Sequence, residues 1–374
     1  MNKAYRFRID PNKEQELLIR RTFGCVRFIW NQMLSERKTQ YEQHQEDKEA
    51  LKQQKYRTPA GYKAEYQWLR EVDSLALCNA QLNLKKAFRK YYHEKGIGYP
   101  KFKSRKNPVQ SYTTNNQGGT IRVMEDGKHV RVPKLGNIRI RLHRQIPNGH
   151  EIKSATISRS ATGKYYISIL TEYTAEIEPI TPNAQKVLGL DYSSKALYID
   201  HNGSSADYPR YLRQMESRLK KEQRKLSRRK KGGGNWQKQK KRVAKLHEKV
   251  SNQRKDFLHK ESRRLADKWD AIAMEDLNMK AMSQALSLGK STMDNGNGVF
   301  RSFLAYKLAD QGKPLVKIDK WFPSSRQCGT CGKINKELTL KDRVWICECG
   351  TVHNRDENAA NNIRKEGIRL LLAA

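Results

Sequence analysis

The chain has 374 residues and a formal net charge of +36, with Lys and Arg outnumbering Asp and Glu by 75 to 39. Its 37% hydrophobic content is enough to build cores and argues against general disorder, while the basic excess is the footprint of a protein that lies along a polyanion, which points to nucleic acid. No run of about 18 apolar residues is present to span a bilayer, and the N-terminus lacks the apolar stretch of a signal peptide, so the expected location is the cytoplasm.

In chain order, Tyr5, Phe7 and Ile9 alternate on one face and predict a strand, after which Asp10 and Pro11 open a helix. Helical patterns run to about His93 with a polar break near residues 45 to 60. Cys25 falls on an apolar helical stripe with Val26, Ile29 and Met33 and reads as a small core residue. From about Ser111 to Tyr173 the pattern becomes short alternating segments, Thr120 to Met124, His129 to Val132, Ile138 to Leu142, Ala155 to Ser160 and Lys164 to Tyr173, with turns at Asp126-Gly127 and Gly163. They predict a small antiparallel barrel or sandwich that includes the N-terminal strand, the helical segment being an insertion.

A Pro-containing linker then leads to two strands, Val187 to Asp191 and Ala196 to Asp200. Two long basic helices follow, their seams marked by Leu212, Met215, Leu219 and Leu226 and by Val243, Leu246, Val250 and Phe257, with Gly232 to Gly234 supplying the reversal of an antiparallel hairpin. A strand at Ala271 to Met274, a loop with Gly296-Asn297-Gly298, a helix from about Phe300 to Gln311, a strand at Leu315 to Asp319 and a final helix opened by Asp356 complete a mixed α/β domain.

Three carboxylates stand out against the basic background. Asp191 and Glu275 directly follow apolar strand segments, where an unpartnered carboxylate is expensive to desolvate, and Asp356 starts a helix. Hard oxygen donors on separate elements are what two magnesium ions need to assist phosphodiester hydrolysis, so metal-dependent cleavage of nucleic acid is the expected chemistry. Between the last two carboxylates lie Cys328-x-x-Cys331 and Cys347-x-Cys349, a four-thiolate set suited to a closed structural zinc site. The tight second pair leaves open whether Cys349 or His353 is the fourth ligand.

Taken together, "GLDYSSKALYIDHNG", "MEDLNMK", "WFPSSRQCGTCG" and "CGTVHNRDENAANNIRK" resemble motifs of the TnpB family, insertion-sequence-encoded RNA-guided nucleases related to type V CRISPR effectors. "GYPKFKSRK", "VPKLGNIRI" and the glycine-interrupted basic segment after Leu226 add to the likeness. The resemblance implies an α/β multidomain chain. Residues 1–13 and 108–180 would form a wedge-like β-barrel, with a helical recognition insertion at 14–107. An RNase H-like RuvC domain would take 181–320 and 352–374, with its basic hairpin at 210–268 and a zinc-binding module inserted at 321–351. It implies Asp191, Glu275 and Asp356 as the magnesium-binding catalytic triad, a guide RNA from the transposon's right end, and a double-stranded DNA target beside a short motif, in a prokaryotic cytoplasm at the nucleoid. Asn354 stands where the family often has Asp, and Arg355 is placed to meet the scissile phosphate. Expected backbone contacts are Arg228, Arg229, Lys230, Lys231 and Arg254; expected base-edge contacts are Asn79, Gln81, Asn83, Thr113, Asn115 and Asn116. The intact triad favours cleavage over the alternative, an RNA-guided repressor that binds without cutting.

Overall fold

Alternation of Tyr5, Phe7 and Ile9 sets the first strand, β1 (Asn2–Asp10), with those side chains in the core and its arginines outward. The computed structural model describes residues 1–107, 109–285, 289–339 and 341–373, so Pro108, where the expected barrel resumes, lies outside them. The chain forms two units, Met1–Ala175 and Glu176–Ala374.

In the first unit β1 leads into α1 (Lys13–His44), then α2 (Lys48–Gln53), α3 (Pro59–Glu65), a 3-10 turn at Gln67–Glu71 and α4 (Ser74–His93). The strands β2 (Gln110–Asn115), β3 (Arg122–Val123), β4 (His129–Val132), β5 (Gly136–Arg141), β6 (Glu151–Arg159) and β7 (Tyr165–Glu172) join β1 in a seven-stranded antiparallel sheet ordered β2-β6-β7-β1-β5-β4-β3. The order places β2 and β3 at opposite ends. Helix α1 is not capped by Asp10: that residue stays in the sheet, where its carboxylate takes Arg8 and Arg141, and Asn12 caps instead, in a reciprocal capping box with Gln15. Strand β2, whose "QSYTTN" reads as polar, is a strand because Tyr112 and Thr114 turn inward, Thr114 donating to the buried carboxylate of Asp73 at the start of α4. Cys25 is buried in this unit's core, and burial pushes its thiol up to about 11, as suits a packing residue.

The second unit contains β8 (Val187–Ser193), β9 (Leu197–Asp200), α5 (Tyr211–Ser227), α6 (Gly234–Lys268), β10 (Ala271–Glu275), α7 (Met279–Ala285), α8 (Gly289–Asn295), α9 (Asn297–Ala309), β11 (Leu315–Ile318), β12 (Val344–Ile346), β13 (Val352–Asn354) and α10 (Arg355–Leu372). The segment around Gly296 is thus not an open loop: Gly296, in the left-handed region at φ 65°, joins two helices. Four strands pair in the order β11-β10-β8-β9, with β8, β10 and β11 parallel and β9 antiparallel to β8. The expected helical hairpin forms from α5 and α6; at its far end the Gln239 amide donates to the backbone and carboxylate of Glu222, a polar lock between the two helices.

Strand alternation sorts the sheet's two faces. Leu188, Leu190, Ile272 and Met274 point to a core with Leu258 and Leu265 of α6 and Phe300, Leu304 and Leu308 of α9. The opposite parity, Gly189 and Ala273, faces α10. A β carbon on Gly189 would lie 2.1 Å from the Ala360 carbonyl oxygen, and one on Gly367 would lie 2.4 Å from the Ala273 methyl. The sheet and α10 therefore approach at a distance only glycine allows. Arg364 reinforces the contact from the helix edge, donating to the carbonyls of Val187 and Ala184.

On a solvent-facing helix surface Gly→Ala stabilises by about 1 kcal/mol; here Gly189→Ala and Gly367→Ala should each destabilise by roughly 1–3 kcal/mol or more through overpacking. Thermal unfolding should show Ala273→Gly restoring much of the loss in Gly367→Ala and none of it in Gly189→Ala, whose obstacle is backbone.

Candidate functional site

Three elements deliver the three carboxylates. Ala273 pairs with Gly189 and Met274 with Leu190, so one step further along the parallel ladder sets Glu275 beside Asp191, both on the face toward α10. The start of α10 supplies Asp356 in its first turn, with Asn354 as N-cap accepting from the Asp356 N–H. Asn caps a helix as well as Asp does, so the departure at 354 leaves this geometry intact.

Burial pushes the Asp191 carboxyl well above the ordinary carboxylate range, and the negative charges of Glu275 and Asp356 push it the same way; the Tyr192 N–H and Arg355 pull partly back. Burial also raises Glu275, opposed by the hydroxyl of Ser324, which donates to its Oε1 at 2.5 Å. Asp191 and Glu275, both half-buried, and Asp356 beside them offer oxygen donors of the type a hard divalent cation takes. Among the described residues the four cysteines are the group whose donor atoms lie close enough to hold a metal ion, and the Asp356 carboxylate is instead paired with Arg343 at 3.1 Å and Arg355 at 3.0 Å. Arg355 also donates to the Thr339 carbonyl and is largely buried, so its guanidinium is held in place against Asp356.

The four cysteine sulfurs lie within 4.8 Å of one another, with Cys328 to Cys349 at 3.7 Å and Cys331 to Cys347 at 3.6 Å. A tetrahedron of thiolates at the usual zinc–sulfur distance has edges of about 3.8 Å, so the set fits zinc with four sulfur ligands. His353 takes a different place: its Nε2 lies 3.0 Å from the Cys328 sulfur, with its ring against Trp345 of β12.

The sequence reading missed the residues that tie these two sites together. Asn358 and Asn362, buried one turn apart on α10, both donate to the Gln327 carbonyl; Asn362 also holds the Ser324 carbonyl, and Asn358 accepts from the Gly329 N–H. The loop that carries Ser324 toward Glu275 and Cys328 toward the cluster is thus clamped to the helix that carries Asp356. The available signal was "ENAANNI", two asparagines at i and i+4 beside the apolar stripe of Ala359, Ala360 and Ile363.

Of the expected nucleic-acid residues, Arg228, Lys230 and Lys231 are exposed at the tip of the hairpin, while Arg229 donates to the Asn235 carbonyl. Arg254 is half-buried and donates to the Asp294 carbonyl, its stem packed near Gly296. In the first unit Asn79 bonds to Leu75 and Asn115, Thr113 to Thr156, and Asn116 to the Ile152 carbonyl and the Ile121 N–H, whereas Asn83 is exposed on α4 and Gln81 is half-buried.

Against known families, residues 168–286 match the one described as "Probable transposase", residues 1–46 a "Helix-turn-helix domain" and residues 298–363 a "Cas12f1-like, TNB domain". Residues 1–46 here form a strand and one continuous helix. The chain is 34% identical, over 98% of its length and 90% of the other, to a "Putative RNA-guided DNA endonuclease" of Streptomyces pristinaespiralis. It is 30% identical, over 99% of its length and 93% of the other, to "Putative RNA-guided DNA endonuclease InsQ" of Escherichia coli K12. A solved Cas12f1-sgRNA-target DNA complex shares the fold, with a TM-score of 0.59 at 13% identity, covering 97% of this chain and 98% of that one.

Because Asp191 holds its proton more tightly in the fold than in the unfolded chain, it stabilises fully below about pH 4 and that contribution is lost as pH rises through its elevated folded value. Asp191→Asn should therefore raise the metal-free Tm at pH 7 relative to the parent, the difference vanishing near pH 4. Metal analysis should find zinc retained by His353→Asn with roughly 10- to 100-fold weaker affinity, and lost from Cys331→Ser and Cys349→Ser.

Proposed function

The chain belongs to the TnpB family, and on that premise we propose that it is an RNA-guided endonuclease that cleaves double-stranded DNA at the site formed by Asp191, Glu275 and Asp356. The observation that carries the reading is the convergence of the three carboxylates, each from a different element, in a chain whose net charge is +36. Relatives of nearly full length bear the name RNA-guided DNA endonuclease, and the Cas12f1 chain that shares the fold is bound to a guide RNA and target DNA.

Asp191, Glu275 and Asp356 would hold magnesium, with Asp191 between the other two; when bound, two such ions activate the attacking water and stabilise the leaving oxygen. Ser324 fixes the rotamer of Glu275. Arg355 and Arg343 hold Asp356 and supply positive charge where a scissile phosphate would sit. The zinc module is structural, since four thiolates leave no open position, and its clamp to α10 keeps Ser324 and Asp356 in one rigid frame. The hairpin tip at Arg228 to Lys231 offers phosphate contacts, and the sheet and helices of the first unit would serve as wedge and recognition modules, with Asn83 the most accessible of the base-reading candidates. Sequence choice is delegated to guide pairing and to a short motif beside the target.

Purification from cells expressing the chain with its flanking DNA, followed by extraction of bound RNA and a cleavage assay on a randomised-flank plasmid library with magnesium, tests this directly. Guide-directed loss of plasmids with one defined flank is the expected result; bound RNA with no cutting would instead indicate a repressor. Asp191→Ala should abolish cutting while RNA-dependent target binding survives, and Ser324→Ala should slow cutting by about 10- to 100-fold with a higher magnesium requirement.

A further inference from the structure

Between β11 and the cysteine cluster, six residues from Asp319 to Ser324 carry a tryptophan that the carboxylate site does not use. Trp321 is 80% exposed, although an indole can remove 150–250 Å² from water when buried. Its backbone is held on both sides. The Trp321 N–H donates to the Asp319 carboxylate at 2.7 Å, the Phe322 N–H to the Asp319 carbonyl, and the Phe322 ring packs with Ala273, Ile318 and Ile363. Two residues later Ser324 reaches Glu275. The indole is therefore presented outward by the same anchored segment that orients a carboxylate.

Beside it lies a cleft of about 690 Å³ at the carboxyl ends of the parallel strands β10 and β11, where α/β sheets commonly take ligands. Lys317, Lys320 and Arg301 line it with Asp276 and Asp319; Asp276 is paired with Arg301 at 2.6 Å and the Asp319 carboxylate, still charged, accepts from the Trp321 N–H, so the lining keeps a net positive charge carried by the two lysines against Asp319. The Lys320 ammonium lies 4.9 Å from the centre of the indole. An exposed flat ring flanked by cations and adjoining a carboxylate site matches an unpaired nucleotide, whose base offers a π face and whose phosphates offer charge; a paired base within a duplex has no free face.

We propose that Trp321 is a stacking platform for an unpaired nucleotide of single-stranded DNA entering the Asp191, Glu275 and Asp356 site, with Lys317 and Lys320 on its flanking phosphates. It is a positioning residue, and the assignment of its strand as the one to be cut rests on the nuclease reading above.

The test uses the RNA-loaded protein carrying Asp191→Asn, so that nothing is cut, and a short single-stranded DNA containing 2-aminopurine, whose fluorescence falls on stacking. Trp321→Ala should remove a distinct quenching component and weaken binding by about ten- to a hundredfold. Trp321→Phe should stay within a few-fold of the parent, and Lys317→Ala with Lys320→Ala should weaken binding and flatten its salt dependence. Phe keeps an aromatic face at this position, so the Phe variant and the lysine pair decide the matter if the Ala variant loses thermal stability. Affinity and quenching in Trp321→Ala and in the lysine pair equal to the parent's, or a Phe variant as weak as Ala at unchanged Tm, would overturn the platform. With Asp191 restored, a parent that never cuts yet binds through Trp321 would sink the nuclease reading alone. A parent that cuts while Trp321→Ala binds the oligonucleotide normally would sink the platform alone.

Discussion

The close approach of α10 to strands β8 and β10 is the constraint on which the second unit depends. Gly189 and Gly367 remove the two side chains that would hold the layers apart. Once the helix is seated, the parity of the strands does the rest. Residues two positions beyond Gly189 and Ala273 fall on the same face, so Asp191 and Glu275 emerge under the helix start, and Asp356 in the first turn closes the group.

That arrangement places negative charge where burial and mutual repulsion both oppose it, and the surrounding residues read as its compensation. Arg343 and Arg355 pair with Asp356, Ser324 hydrogen-bonds Glu275, and the Asp191 carboxyl is pushed upward by burial and by its two acidic neighbours. The same helix secures the cysteine module through Asn358 and Asn362, whose amides would be expensive to bury without the carbonyls of Ser324 and Gln327. The cysteine loop and the carboxylate site are thus tied to the same helix.

Much of this was legible in the residue pattern. Period-two alternation marked β1, β4 and β7, and the apolar seams with their glycine break marked the α5–α6 hairpin, because those signals are local and repeat over several turns or pleats. The four cysteines declared themselves by density. Less legible were elements whose identity depends on a partner far along the chain. Polar "QSYTTN" becomes a strand because Asp73 receives Thr114, and Asp10 is drawn from the helix cap by Arg141 across the sheet. Several polar residues expected to meet bases, among them Asn79, Thr113 and Asn116, have partners within the protein that no local pattern announces.

The sequence by itself determined the strongly basic charge, the kinds of donor atom available through carboxylates and thiolates, and the order of helices and strands through periodicity. Only the tertiary structure decided that the four cysteine sulfurs gather within 4.8 Å, that His353 lies against Cys328, that asparagines on α10 bind the Ser324 loop, and that Trp321 is left in water. Composition and period are properties of neighbours along the chain, whereas these relations are set by strand register and by how closely a helix can approach a sheet, which a single pair of glycines separated by more than a hundred residues controls.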